Sequence, residues 1–127
     1  MAAPIDNAAD PFKAADAALA RHDFATAEAY AVNAKRSSPK DPGVAALFAW
    51  VGAHSGEEDA LPEAVRALTR IVEEHPKLEP ALLYRATLLK RAGKDKAALR
   101  DFVMVLYDNP THPQALNEVR ELRRRLK

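Results

Sequence analysis

The 127-residue sequence has no cysteine, only four glycines, and only 6% aromatic residues. Without thiols there is neither a disulfide framework nor a thiolate metal site, which fits a reducing compartment. An excess of charge is lacking too: 19 Lys and Arg face 18 Asp and Glu. No global field therefore recruits nucleic acid or an anionic membrane. No segment approaches the roughly 18 to 20 apolar residues that a membrane-spanning helix needs. The opening stretch MAAPIDNAADPF carries no basic region followed by an apolar run. The expectation is a cytoplasmic protein without membrane insertion.

Patterns for catalysis and cofactors are missing as well. His22, His54, His75 and His112 stand singly, with no HExxH or comparable metal spacing, so no metal is assigned. Gly52 and Gly56 lack the flanking pattern and the lysine of a phosphate-binding loop. Glu57, Glu58 and Asp59 read as a solvated turn. No enzyme activity, cofactor or small-molecule substrate is expected.

What the chain does have is helix formers. Alanine, leucine, lysine, arginine and glutamate fill it, strand signals are nearly absent, and 48% hydrophobic content suffices for a core in a chain of single-domain length. Most of the nine prolines fall where helices should begin or end. Asp10-Pro11, Asp41-Pro42 and Thr111-His112-Pro113 each put a short capping side chain before a helix-starting proline, and Asp95 follows Gly93 closely enough to cap the next helix. These marks predict seven helices, at 11–21, 24–37, 42–55, 60–74, 79–92, 96–107 and 113–126. Their short connections imply antiparallel neighbours.

A repeat underlies the seven. Ala98, Phe102, Val105 and Pro110 recur 34 positions earlier as Ala64, Leu68, Ile71 and Pro76, and a further 37 earlier as Ala27, Ala31, Ala34 and Pro39. The three extra residues are expected in the loop around Asp41, Pro42 and Gly43. With Leu82, Ala86 and Leu89 ahead of the turn at Gly93, the last unit resembles the tetratricopeptide repeat, a helix-turn-helix of about 34 residues. The middle unit keeps Phe48, Gly52 and the Ala64 column, with an acidic turn at 55–59. The first has the turn His22-Asp23-Phe24. The tryptophan usual at the fourth position of the family's repeat is replaced by Pro11, Phe48 and Leu82.

The resemblance implies an all-α, right-handed α-solenoid: one domain over 1–127, with repeats at approximately 8–41, 45–78 and 79–112. A seventh, capping helix at 113–126 would turn Leu116, Val119 and Leu122 inward. Each hairpin would complete its core on the next. Phe102, Leu68, Val105 and Ile71 would fill the space between hairpins, with alanine allowing close approach.

The resemblance also implies a peptide-binding groove lined by the first helices. Carried over residue by residue, its positions are Phe12, Lys13 and Asp16, then Ala49, Trp50 and Ala53, then Leu83, Tyr84, Thr87, Lys90 and Arg91. Asn117, Glu118 and Arg124 continue the row. One subclass of the family clamps a terminal carboxylate there, but Trp50 and Tyr84 occupy the column where that clamp uses asparagine. An aromatic floor with a basic edge at Lys90 and Arg91 is expected instead. It would suit an apolar or amphipathic protein segment with some acidic side chains, and the role would be that of a scaffold, adaptor or co-chaperone. An aromatic residue at helical spacing also reads as core, and only the repeat register places Trp50 outside it. Tyr30 and Tyr107, on second helices, have no assigned role. Arg120, Arg123, Arg124, Arg125 and Lys127 complement a helix C-terminus, and no nucleic-acid motif accompanies them. The alternative is a structural, self-associating piece of a larger regulatory or secretion protein.

Overall fold

The computed structural model describes residues 10–127, so the expected start of the first repeat at residue 8 lies outside the described residues. The chain falls into two compact units, one ending at Ala64 and the other spanning Val65–Lys127. Among the described residues there are seven helices and no strand: α1 Pro11–Ala20, α2 Phe24–Ser37, α3 Pro42–Gly52, α4 Ala60–Glu74, α5 Glu79–Arg91, α6 Asp95–Asp108 and α7 Pro113–Arg125.

The helix starts are set by caps. Asp10 Oδ1 accepts the Lys13 N–H at 3.1 Å, and Asp41 Oδ1 accepts the Gly43 N–H at 2.8 Å; a proline follows each cap. Asp23 caps α2 through the Thr26 N–H at 3.1 Å. Bonding to Thr26 holds the Asp23 carboxyl below the usual carboxylate range. At α7 the cap is His112, whose Nδ1 accepts the Ala115 N–H at 3.2 Å. Asp95 is not a cap, contrary to expectation: it is the first residue of α6, and Lys94 precedes it without a side-chain hydrogen bond.

Two hairpin turns close alike. His22 at φ 60° and Gly93 at φ 79° follow the helix ends. The Asp23 N–H reaches Ala18 O at 2.9 Å, and the Lys94 N–H reaches Leu89 O at 2.8 Å. The turn after α3 differs, because α3 stops at Gly52 and not at 55, leaving residues 53–59 to reach α4. The connectors between hairpins, 38–41, 75–78 and 109–112, are equal in length. The extra residues therefore sit in the 53–59 turn and not around Asp41, correcting that expectation.

In the first unit α1 and α3 both pack on α2. Its core includes Ala15, Ala18, Ala27, Ala31, Val44, Ala46, Leu47, Trp50, Val51 and Ala64. In the second, α6 packs on both α5 and α7. Leu82, Ala86, Leu89, Ala98, Phe102, Val105, Ala115, Val119 and Leu122 form one cluster there. The repeat columns hold: Ala98, Phe102 and Leu68 are fully buried, while Ile71 and Ala34 are half-buried. Leu116 is half-buried, not fully inward. Phe48 departs from its column. Leu82 is buried, whereas Phe48 is 40% exposed with the Lys35 ammonium 4.3 Å from its ring centre. The offset of α3 explains this. Counted from its cap at Asp41, α3 stands 37 residues before α5, whose cap is Leu78. A three-residue shift turns a helical side chain by about 60°.

Candidate interaction surface

In the first unit, the expected groove residues meet where α1 touches α3. The Trp50 Nε1–H donates to Asp16 Oδ1 at 2.9 Å, and the His54 ring stands edge-on to the indole with centroids 4.6 Å apart. Phe12 lies against the start of α3, its Cζ 3.6 Å from where a Cβ on Gly43 would stand. Lys13 is exposed, and Ala49 and Ala53 are half-buried.

The aromatic floor is not open. Trp50 is 8% exposed and Tyr84 9%, which corrects the expectation of two rings offered to solvent. Asp16 supplies the acceptor that a covered indole N–H requires. Tyr84 shares a helical stripe with Ala81 and Leu88, both fully buried. Leu83 likewise packs against the core cluster of the second unit.

Polar members of the expected row come together in that second unit, on α5 and α7. Thr87, Lys90 and Arg91 from α5 line a cleft of about 310 Å³ with Gln114, Glu118 and Arg125 from α7. Asn117 and Arg124 are exposed and do not line it. The Thr87 hydroxyl donates to Leu83 O at 2.8 Å. Lys90 Nζ lies 2.9 Å from Glu118 Oε2 and 3.3 Å from Glu121 Oε1. The hydrogen bond to Glu118 raises the Lys90 pKa above the ordinary lysine value, outweighing the opposing effect of burial. At the far end, Glu79 Oε1 approaches His112 Nε2 at 3.4 Å, pinning the start of α5 to the cap of α7.

A second ion pair braces this unit from within. Arg85 Nε and Nη2 donate to Asp101 Oδ2 and Oδ1, both at 2.7 Å. Asp101 is 5% exposed, and its hydrogen bond raises the guanidinium pKa. Neither residue belongs to the expected row. Gln114, Glu121 and Arg125 were not expected in it either, although Glu118, Glu121 and Arg125 follow i, i+3, i+7 spacing, which puts all three on one face of α7.

A tetratricopeptide repeat protein from Parabacteroides merdae ATCC 43184, known from a crystal structure at 2.39 Å, superposes with a TM-score of 0.60 and 28% identity over 91% of the present chain. The fold is a tetratricopeptide-repeat fold. The present chain covers 45% of that protein's chain, less than half its length. No family model and no curated protein matches the sequence. The tetratricopeptide-repeat likeness supports a protein-interaction module in general terms. Among the described residues no helix is long and apolar enough to cross a membrane.

Proposed function

We propose that the chain is a non-enzymatic interaction module, one domain of three repeats and a capping helix, that holds an acidic segment of a partner protein against α5 and α7. Its role is that of a scaffold, adaptor or co-chaperone in the cytoplasm, a setting that the absence of cysteine suits. The supporting observation is the charge of the cleft, where Lys90, Arg91 and Arg125 face the single lining carboxylate of Glu118. Arginine offers a planar fork to carboxylates, and Lys90, which is half-buried, gains more from an anionic guest than a solvated cation does. Because Tyr84 is covered, it acts as a brace within the second unit, and recognition falls to the polar row of α5 and α7; Trp50, also covered, braces the first unit.

A displayed peptide library tests this reading. Selection on the wild-type chain is expected to enrich sequences bearing several Asp or Glu residues, and a Lys90→Ala/Arg91→Ala variant of unchanged helicity should lose them. Enrichment without acidic bias, or retained by that variant, would contradict the proposal.

A further inference from the structure

Lys90 belongs to the cleft ascribed to the partner, yet its ammonium is already occupied. α7 contains two acidic residues, Glu118 and Glu121. Both reach Lys90 Nζ, at 2.9 and 3.3 Å. They are one helical turn apart, so a single face of α7 delivers both. Glu121 Oε1 also lies 3.7 Å from Arg125 Nη1, and Arg125 Nη2 pairs with Asp95 Oδ2 at 3.0 Å. The side chains of Lys90 and Glu118 are 23% and 24% exposed, so the pair is partly withdrawn from water, and that of Glu121 is 47% exposed.

We propose that Glu118 and Glu121 are an intramolecular latch, in which α7 gives Lys90 the carboxylates that an acidic partner segment would otherwise supply, and the partner binds by displacing them. The latch rests on the cleft reading above. An incoming carboxylate replaces the lost pair like for like, and a released Glu121 already has Arg125 within reach. A neutral or basic segment cannot replace it and would leave a half-buried ammonium uncompensated, so the latch also selects for acidity. Affinity for acidic segments is lowered by the fraction of molecules in which the latch is closed.

The test is fluorescence anisotropy with a fluorescein-labelled peptide of alternating glutamate and leucine. Relative to wild type, Glu118→Gln/Glu121→Gln is expected to bind about fivefold or more tightly. That gain should vanish when Lys90→Gln is added. Glu57→Gln/Glu58→Gln changes net charge equally on an exposed turn and should give no gain. Circular dichroism checks folding. If the double variant unfolds, Glu118→Gln alone replaces it, with a smaller gain expected. Wild-type binding that the glutamine variants do not improve, or a gain that survives loss of Lys90, overturns the latch and leaves the cleft reading standing. Failure of wild type and every variant to bind overturns both.

Discussion

The Trp50 indole donates to Asp16 at 2.9 Å, and a covered donor that loses its acceptor costs about 1 to 3 kcal/mol. Asp16→Ala is therefore expected to lower stability toward the smaller end of that range, because Asp16 itself is exposed and water can enter. Trp50 is the sole tryptophan, so its emission should shift to longer wavelength in the same variant, checked by fluorescence alongside urea unfolding. The buried fork of Arg85 on Asp101 behaves differently. Asp101→Asn removes the charge and is expected to cost roughly 2 to 3 kcal/mol, read from the urea midpoint. Lys90 adds a pH dependence of definite sign. Its folded pKa is raised, so its contribution is complete below the ordinary lysine pKa and is lost as pH climbs through the folded value. Stability measured across the alkaline range should fall less steeply in Lys90→Gln. The resemblance to the tetratricopeptide repeat, carried over position by position, makes Asp16, Trp50, Lys90 and Glu118 legible as candidates in the sequence. Their bonds are not legible, since contacts between helices depend on side-chain direction as well as spacing.

Two glycines near helix ends should respond oppositely to an added methyl group. Gly93 sits at φ 79°, where an added Cβ is strained, so Gly93→Ala should cost about 1 to 2 kcal/mol. Gly52 is helical with open space around it, so Gly52→Ala should gain about 0.5 to 1 kcal/mol. Chemical denaturation of both variants checks the opposite signs. The starts of α1 and α3 were readable because aspartate and proline mark them chemically, whereas Asp95 was misread as a cap because it lies just inside α6. The end of α3 was not, because Ala53, His54 and Ser55 contain nothing that forbids a helix. There the backbone tightens instead: the His54 N–H turns back to Val51 O at 2.9 Å and the Ser55 N–H to Gly52 O at 3.2 Å. The misplaced insertion followed, and with it the outward turn of Phe48. The second-helix columns were legible because Phe102, Leu68 and their alanine neighbours combine small and large apolar residues at one period. Phe102 is fully buried, and Phe102→Ala is expected to cost about 3 to 5 kcal/mol in urea unfolding.

For the whole molecule, the interaction-module reading and the self-association alternative diverge on mass. Under the first, sedimentation should give one mass across a wide concentration range. A mass that rises with concentration and falls with Lys90→Gln would assign the cleft to a second copy. The most direct measurement is a titration of isotope-labelled protein with the acidic peptide, followed by amide chemical shifts. Perturbations centred on Thr87, Lys90, Arg91, Gln114 and Glu118, growing with peptide and screened by salt, are the predicted result. Saturable shifts centred on α2 or α6, with α5 and α7 unmoved, would contradict it.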